Sequence, residues 1–583
     1  MSPLPPPSTL AFAASLLLLA GYLLYRATIP KPIPGGIPYV AASAVRAFGD
    51  VPDAIKHHAK TGEMIAFLAT KCVELNSPIV QVFLRPFSKP WVVIADSQES
   101  QDIMARRTRE FDRSDYFGDL LKATIPHHQV WMRTGEQWRS NRRLMADTMA
   151  PQFLQNVAGP QIHAQFCSLI RLWRTKVSLA QGHPFSASLD IEGAMFDGIW
   201  AAAFGSTIGS TETQVRLLGR LSRLDGLSQD NDAVAVFPEA PYPPMKSAMS
   251  TIANSSEIPT NSPLGRRHHE FALKYYPSIR KAVKLKNQMV EEKLHAAWQK
   301  FSSPGASEDS IKCAADLIVA REVTLARKEN RQPQHDSPTV QDELFGFLLA
   351  GYDTTSTTIE WGVKYLTAHQ DVQAKLRQHL RATFSQAAEQ KQPPSAVDIA
   401  KTSLPYLDAV IEEILRCGAT APATVRVATE DTEVFGHHIP KGTDVFMLNM
   451  GPSYTAPPFP IDEAKRSTTS KLLPTQDRWT GTWDPRTLGD FDPERWLVRK
   501  SDAAAGEQQT LDPQAGPMQT FGGGLRGCFG KKLARLNLRI VFTLMLWDFE
   551  LRPLPQALGD FRAKDVLTHR PQQVHLRLQE CAP

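Results

Sequence analysis

The sequence has few cysteines and none of the spacings that cysteine-based frameworks need. Its six cysteines, at positions 72, 167, 313, 417, 528 and 581, lie far apart, and no two form a C-x-x-C pair. A disulfide scaffold and a structural zinc site are therefore not indicated, and a reducing compartment fits best. The formal net charge is only +5, and without a clustered basic face it gives no support for nucleic-acid binding.

A nucleotide-binding fingerprint is also missing. No G-x-G-x-x-G motif follows a strand-like run, so the chain carries no flavin or NADPH domain of its own. Hydrophobic residues make up 42% and charged residues 21% of the 583 positions. These are ordinary values for a globular protein and do not indicate disorder.

The longest apolar run lies at the N-terminus. Residues 8–25 form an uncharged stretch closed by Arg26, long enough to span a thin bilayer. A cleaved signal peptide is the competing interpretation, but no charged segment precedes the run and no clear cleavage site follows it. Since the basic residues come after the span, residues 1–7 are expected in the lumen and the rest in the cytosol. Residues 26–38, rich in proline, are predicted to be a stiff connector to a single domain at 39–583.

That domain is predicted to be mainly α-helical, with small peripheral sheets. Apolar residues recur at helical spacing in the stretches 213–225, 270–299, 339–368, 404–417 and 530–547. Strand-like runs are fewer, at 77–84, 89–96, 436–448 and 573–578. Long loops are expected at 230–264, 301–312, 328–338 and 452–490.

One cysteine stands in a setting that suits a metal-bound thiolate. Cys528 lies in FGGGLRGCFG, at residues 521–530, where four glycines before the cysteine let the backbone approach a flat ligand. A helical pattern starts directly afterwards, and the dipole and free N–H groups of a helix N-terminus favour a negative sulfur. The alternative is a glycine-rich turn with an ordinary buried cysteine.

This segment resembles a known family. Phe521, Gly524, Arg526, Cys528 and Gly530 match all five fixed positions of F-x-x-G-x-R-x-C-x-G, the heme-binding loop of the cytochrome P450 family of heme-thiolate monooxygenases. The resemblance implies heme b as cofactor, with the Cys528 thiolate as axial ligand of the iron. It also implies the cytochrome P450 fold, with a long central helix over the heme, small peripheral sheets and an N-terminal transmembrane helix of the eukaryotic microsomal type.

A second family motif lies in the longest apolar helical stretch. A capping-box pattern at Thr339 and Asp342 is expected to begin this helix, but its centre, AGYDTTSTT, is polar. Such a local conflict is typical of a functional site, although a polar face turned to solvent would also explain it. The letters AGYDTT resemble the family's oxygen-activation motif, which implies that Thr354 hydrogen-bonds dioxygen and that Asp353 relays protons.

A third set resembles the family's buried ion-pair network. Glu413 and Arg416 in YLDAVIEEILR are i, i+3 neighbours on one helix face, which alone would be a weak surface pair. Arg495, in PERW, follows in the family's order, and the resemblance implies that it completes a Glu-Arg-Arg network. We expect these residues to fix the cysteine loop and to take no part in turnover.

The two heme carboxylates would need buried cations, for which the planar fork of arginine is well suited. Trp138 and Arg142 match the family's W-x-x-x-R, and Arg526 and Arg426 fill two further positions usual in the family. With Phe521, these residues are the expected heme contacts. An exposed strand arginine is the alternative for Arg426.

The substrate pocket is expected from the family's fold rather than from any motif. Its candidates are the segment 112–130, Phe347, Tyr352, the stretch 419–425 and residues 564–569. Pocket walls in this family come from variable loops, so the sequence does not identify the substrate. The proline-rich insertions and the anchor resemble fungal natural-product oxidases.

The resemblance also implies partners and a location. A basic run at Lys531, Lys532, Arg535 and Arg539 would suit docking of NADPH-cytochrome P450 reductase, with cytochrome b5 as a further electron donor. A solvated helix face is the alternative. The function expected is oxidation of a hydrophobic small molecule with dioxygen at the endoplasmic reticulum membrane. The competing functions are a heme-thiolate isomerase or dehydratase that uses no dioxygen, and a non-catalytic membrane protein that binds heme or sterol.

Overall fold

The structure is a computed structural model. It describes residues 7–262, 264–303, 307–472, 481–502 and 506–581. Helices predominate and the sheets are small, so the prediction of a mainly α-helical protein is confirmed. The predicted loop at 452–490 lies partly outside the described residues.

The helices vary widely in length. The longer ones are Pro7–Thr28, Val51–Thr61, Ile65–Glu74, Ser97–Ala105, Glu136–Met145, Gly159–Ala180, Ser188–Phe204, Ser210–Leu218, Pro244–Ser255, Arg266–Tyr275, Pro277–Ser302, Ala314–Lys328, Pro338–Ala368, Gln370–Thr383, Pro405–Gly418 and Lys531–Asp548. Shorter ones are Ala41–Ala44, Asp115–Leu121, Pro151–Phe153, Ile258–Asn261, Ser385–Glu389, Ala396–Lys401, Thr468–Lys471 and Gln556–Gly559.

The helix Pro338–Ala368, here called the central helix, has its N-cap at Ser337, two residues before the predicted cap at Thr339. The side chain of Ser337 accepts a backbone N–H of the first turn, and proline at the first position has a φ already suited to a helix. The predicted capping box at Thr339 and Asp342 is wrong. Asp342 accepts the backbone N–H of His127 at 2.8 Å instead, because a tertiary contact competes for the carboxylate.

The central helix runs through the core of the molecule. It packs against Ser188–Phe204, Pro405–Gly418 and Lys531–Asp548, and its apolar residues belong to the largest hydrophobic cluster. Most of its polar centre is buried as well: Asp353 and all four residues from Thr355 to Thr358. The alternative of a polar face turned to solvent is therefore wrong, and these polar groups must be satisfied inside the protein.

The sheets are small and peripheral. The largest has five strands, in the order Ile79–Val82, Trp91–Ile94, Asp444–Leu448, Ala423–Ala428 and Phe111–Arg113. Only its second and third strands pair in parallel. Two-stranded pairs are Thr432–Val434 with His437–Ile439, Leu497–Asp502 with Gly506–Leu511, Phe549–Leu551 with Leu578–Glu580, Ala563–Asp565 with His569–Pro571, and Phe185–Ser186 with His575–Leu576.

The stretch 230–264 is not one long loop, as predicted. It contains the helix Pro244–Ser255, which packs against Pro277–Ser302. Its abundant proline and serine favour a loop, but one face is apolar at helical spacing and buried, and tertiary packing outweighs weak propensity. The buried apolar residues of that face are Met245, Ala248, Met249 and Ile252.

Two other predicted elements are divided. The stretch 270–299 forms parts of two helices, because Pro277 disfavours the helical conformation at Tyr276, which is extended. The run 436–448 forms two strands, His437–Ile439 and Asp444–Leu448, separated by a turn. Proline and glycine account for both breaks.

The N-terminal helix, Pro7–Thr28, continues past its predicted end at residue 25, since no proline occurs between its first turn and Pro30. Its residues 11–28 are long and apolar enough to cross a membrane, and few of them are buried. Membrane anchors and signal sequences share these properties. The connector that follows is tied to the body, because the Gln81 side chain binds Ile33 N–H at 2.7 Å.

Candidate active site

The cysteine loop, residues 521–530, is folded back on itself and packed against a neighbouring helix. The backbone N–H of Cys528 donates to the carbonyl of Phe521 at 2.8 Å. Gly524 has a φ of +62°, and a Cβ there would lie 2.1 Å from the carbonyl oxygen of Met104. Only glycine meets both conditions.

Cys528 lines a cavity of about 340 Å³ between the cysteine loop and the central helix. Burial raises the pKa of its thiol, while the backbone N–H of Gly530 and the cations Arg142 and Lys531 act in the opposite direction. The net direction is upward, so the helix N-terminus does not by itself ionise the sulfur as the sequence suggested. A coordinated metal ion would deprotonate it.

The cavity is apolar over much of its wall. Phe347 and part of the stretch 419–425 line it, as predicted from the family's fold. Tyr352 and residues 564–569 are not among its lining residues. Other apolar contributors are Val130, Met145, Met149, Ala350, Leu415, Phe521, Phe529 and Leu533.

Thr354 and Asp353 leave the central helix on different sides. Thr354 lines the cavity, and its hydroxyl donates to the carbonyl of Ala350 at 2.7 Å. Asp353 is buried and accepts a hydrogen bond from the hydroxyl of Thr568 at 3.0 Å. Burial raises the pKa of Asp353, and Arg570 partly offsets this effect. The alcohol therefore faces the cavity, and the acid lies in the interior beside it.

A buried group of acids next to Asp353 has no signature in the sequence. Arg570 bridges Glu192 and Glu360, with nitrogen–oxygen distances of 2.5 and 3.0 Å. The hydroxyl of Tyr352 donates to Glu192 at 3.3 Å. Burial raises the pKa of Glu360 to about 7. Only the fold brings these distant positions together.

Four arginines meet at one end of the cavity and are here called the arginine cluster: Arg113, Arg142, Arg426 and Arg526. Arg113 and Arg426 are directly opposite on paired strands, where like charges are unfavourable. Burial and neighbouring arginines lower the pKa of Arg113 and Arg526 to about 9 and that of Arg426 to about 10. The sequence motifs indicate the other three but not Arg113, because its position depends on strand register.

Among the described residues, two arginines of the cluster lack acceptors for some of their N–H groups, although Arg526 also donates to the carbonyl of Met132 at 2.6 Å. Nη2 of Arg426 and Nε of Arg526 are buried and have no hydrogen-bond partner within the described ranges. The neighbouring Asp112 carboxylate already accepts the N–H and hydroxyl of Thr134, at 2.8 and 2.7 Å. Since buried polar groups without partners are costly, the cluster fits a ligand with acid groups. Heme b fits this set, because it has two carboxylates, a flat ring for the glycine-rich loop and an iron for Cys528.

Aromatic rings fix the orientation of these cations. The guanidinium of Arg526 lies 4.4 Å from the ring centre of Trp138, and that of Arg142 lies 5.1 Å from the ring centre of Phe529. The ammonium nitrogen of Lys531 lies 5.5 Å from the ring centre of Phe521. Such cation–π contacts hold charged groups in place without neutralising them.

Glu413, Arg416 and Arg495 come together behind the cysteine loop. Glu413 accepts from Arg416 at 2.7 and 2.8 Å, and Arg495 lies 3.2 Å from the same carboxylate. The indole of Trp496 also donates to Glu413, at 2.9 Å. Arg416 further donates to backbone carbonyls of the segment 488–490. This network is satisfied by the protein itself.

The family model for cytochrome P450 matches residues 54–453 and 489–576. The chain belongs to the cytochrome P450 family. Membership implies a heme with a cysteine thiolate ligand, and the family generally uses redox partners and hydrophobic substrates. The family resemblance found in the sequence motifs is thereby confirmed.

Relatives of this cytochrome P450 match it along nearly its whole length. A cytochrome P450 monooxygenase of Pestalotiopsis microspora is 38% identical over 579 residues, covering 98% of each chain. One of Fusarium sporotrichioides is 37% identical over 581 residues, covering 97% of this chain and 98% of the relative. A third, of Penicillium rubens, is 33% identical over 568 residues, with coverages of 97% and 95%. The prediction of a monooxygenase enzyme is confirmed.

Two of the four basic residues on the helix that follows Cys528 form ion pairs within this cytochrome P450. Arg535 pairs with Glu412, and Arg539 lies 3.3 Å from Asp408. Lys532 is exposed. The positive charge of the basic run at the start of the helix Lys531–Asp548 is therefore partly neutralised by acidic residues of the same protein.

Proposed function

We propose that this cytochrome P450 is a membrane-anchored enzyme that inserts one oxygen atom of dioxygen into a hydrophobic small molecule, by hydroxylation or epoxidation. The observation that carries the proposal is that Cys528 and Thr354 line one cavity, which Arg426 and Arg526 also line with buried N–H groups that have no acceptor among the residues the structure describes. A thiolate ligand, a hydroxyl and an anion site are the elements that such a reaction requires.

The proposed cofactor is heme b, whose iron the Cys528 thiolate would bind. The arginine cluster would bind its carboxylates, and Trp138 and Phe521 would lie beside the ring. When bound, heme supplies the oxidising chemistry by which one atom of dioxygen enters the substrate and the other leaves as water. The protein supplies the ligand, the counter-charges and the shape of the cavity.

Thr354 and Asp353 are proposed to manage protons. The hydroxyl of Thr354 faces the cavity, and by turning away from the Ala350 carbonyl, which now accepts its hydrogen, it can donate that hydrogen to a polar atom of the reactants. Asp353 has a raised pKa and is bonded to Thr568, so it can hold and return a proton in the interior. Since much of the cavity wall is apolar, bulk water is restricted and protons must arrive through such groups.

Glu413, Arg416 and Arg495 are proposed to be structural. They bind one another and the segment 488–490, and they do not line the cavity. The hydroxyl of Thr520, next to the cysteine loop, donates to the carbonyl of Leu415 on the same helix at 2.8 Å. The network therefore supports the loop from behind.

The proposed location is the endoplasmic reticulum membrane, crossed once by residues 8–25. Residues 1–7 would be lumenal, residues 26–38 a connector and residues 39–583 one cytosolic catalytic domain. The exposed N-terminal helix and the basic residue after it support this orientation.

Electrons are proposed to come from NADPH-cytochrome P450 reductase, with cytochrome b5 as a second donor. Lys532, Arg139 and Arg143 are exposed, and Arg142 on the same helix as the latter two reaches the cysteine loop. A basic surface there would steer an acidic flavoprotein toward the cofactor. The similarity to fungal monooxygenases over nearly the whole chain supports a role in secondary metabolite biosynthesis.

The test is a carbon-monoxide difference spectrum of the reduced protein, with Cys528→Ser beside it. We expect the thiolate-type Soret band in the wild type and its loss in the variant. Cys581→Ser, at a half-buried cysteine near the C-terminus, is the control and should keep the band. A serine variant with an unchanged spectrum would remove Cys528 from the proposal.

Turnover separates the competing functions. With reductase present, NADPH-dependent incorporation of labelled dioxygen into a product supports the monooxygenase. Conversion of an oxygenated substrate without NADPH would indicate an isomerase or dehydratase. Heme binding with no NADPH consumption, across a panel of polyketides, terpenoids and alkaloids, would indicate a carrier.

A further inference from the structure

Two consecutive carboxylates of the central helix hold a loop in place above the cavity. Asp342 accepts the backbone N–H of His127 at 2.8 Å, and Glu343 accepts the backbone N–H of Gln129 at 2.7 Å. The side-chain amides of Gln129 and Asn141 also donate to Glu343, at 2.8 and 2.9 Å. The residue between His127 and Gln129 therefore has its backbone fixed on both sides.

That residue, His128, approaches the central helix at a glycine. A Cβ at Gly346 would lie 2.1 Å from Nε2 of His128, so any side chain there would displace the ring. The His128 side chain is 11% exposed and lines the cavity. Gly346 is thus what lets the imidazole form part of the cavity wall.

Hydrogen bonding decides which nitrogen of His128 carries the proton. The backbone N–H of Val130 donates to Nδ1 at 3.0 Å, so the neutral ring carries its hydrogen on Nε2. Burial lowers the pKa of His128 to about 3, which keeps the ring neutral. Nε2 lies 3.5 Å from the Glu343 carboxylate, beyond the usual hydrogen-bond distance. Within the part of the chain that the structure describes, this N–H has no closer acceptor.

We propose that His128 donates from Nε2 to an oxygen atom of the substrate, and that the substrates are neutral, largely apolar molecules with a carbonyl, hydroxyl or ether oxygen. The inference rests on the proposed function. Val130, Phe347 and other apolar side chains form much of the remaining wall, and in such a pocket a single fixed donor sets the orientation of the ligand. Burial raises the pKa of Glu343 to about 7, so above that pH its negative charge, 3.5 Å from the same nitrogen, disfavours carboxylate substrates.

The test compares paired ligands that differ by one oxygen. His128→Phe removes the donor and keeps a flat ring, and His127→Phe is the matched control, since His127 is exposed and bonds through its backbone. The heme-loaded proteins are titrated with cyclododecanone against cyclododecane and with fluorenone against fluorene, following the change in heme absorbance on binding. In the wild type and the control we expect a preference of about tenfold for the ketone of at least one pair, and loss of that preference in His128→Phe.

Two further variants and one parallel measurement complete the test. His128→Gln keeps an N–H donor and should regain part of the preference, and His128→Leu replaces the phenylalanine variant if that protein does not fold. A wild type without ketone preference in either pair, or an unchanged preference in the donor-free variants, would overturn the inference. The carbon-monoxide spectrum is recorded on the same samples. A normal spectrum with unchanged preference overturns the His128 inference alone, whereas its absence in the wild type overturns the proposed function and the inference together.

Discussion

Two buried groups of arginines in this cytochrome P450 differ in what surrounds them. Arg416 gives its N–H groups to Glu413 and to nearby backbone carbonyls. In the arginine cluster, Arg426 and Arg526 each keep one buried N–H group that has no acceptor in the described part of the chain. The pKa shifts are opposite: burial acts against the charge of Arg416, yet Glu413 raises its pKa, whereas burial and like charges lower the pKa of Arg426 and Arg526.

This difference indicates that the first group stabilises the fold and that the second binds a ligand. A charge that is satisfied by the protein needs no ligand, and its removal leaves its partners buried and unpaired. Like charges that lie close together, two of which each keep one N–H group without an acceptor among the described residues, are unfavourable until an anion binds. The first group should therefore contribute to stability in every state, and the second should contribute only when the cofactor is bound.

Breaking the satisfied group should have the largest effect. Glu413→Gln leaves Arg416 and Arg495, which are 0% and 5% exposed at their side chains, without a carboxylate. We expect a loss of about 3–5 kcal/mol in the free energy of unfolding, measured with urea. Glu494→Gln is the control, because its carboxylate pairs with Lys375 on the surface; it should lose no more than about 1 kcal/mol. Equal losses in the two variants would contradict the structural role.

Sequence motifs predicted most of the residues in these two groups. The residues and elements that they missed were missed for physical reasons. Gly524 and Cys528 are set by local backbone requirements, so a short motif describes them well. Arg113 was missed because it faces Arg426 only through the register of two strands distant in the sequence. The helix Pro244–Ser255 was missed because its apolar spacing is hidden among prolines and serines, and packing, not propensity, decides it.

Removing one member of the arginine cluster should weaken heme retention and leave the free energy of unfolding of the polypeptide nearly unchanged. Arg426→Met relieves repulsion and removes a buried N–H without a partner, so the free energy of unfolding after heme loss should change by less than about 1 kcal/mol. Heme should transfer to apomyoglobin roughly 10- to 100-fold faster, since a hydrogen bond between charged groups contributes about 1.5–3 kcal/mol. Arg552→Met, at a surface pair with Glu550, should leave transfer unchanged. If Arg426→Met retains heme like the wild type, the cluster does not bind the carboxylates.

The cluster should also make heme retention sensitive to high pH. Without an anion, Arg113 and Arg526 have a pKa of about 9 in the folded protein, below that of the unfolded chain, so the folded form without heme binds fewer protons above this pH. The negative heme carboxylates would raise the pKa of these arginines again. Above about pH 9, heme binding would therefore be coupled to proton uptake by the arginines, and the affinity for heme would fall as the pH rises. We expect heme release to be constant up to roughly pH 8 and then to accelerate, by at most about tenfold per pH unit for each proton. Release that stays constant to about pH 10 would show that these arginines are not linked to heme.

Thr354 belongs to neither group, and its removal should affect stability least. Among the described residues, its hydroxyl bonds only to the carbonyl of Ala350 within the helix, so Thr354→Ala should change the free energy of unfolding by about 0.5 kcal/mol or less. Because that hydroxyl faces the cavity, NADPH oxidation should continue while product formation falls by about tenfold or more, with peroxide accounting for the difference. Thr324→Ala removes a hydroxyl with the same intrahelical bond, to Ala320 at 2.8 Å, outside the cavity, and should keep full coupling. Unchanged coupling in Thr354→Ala would remove this residue from proton delivery and leave Asp353 without a route to the cavity through it.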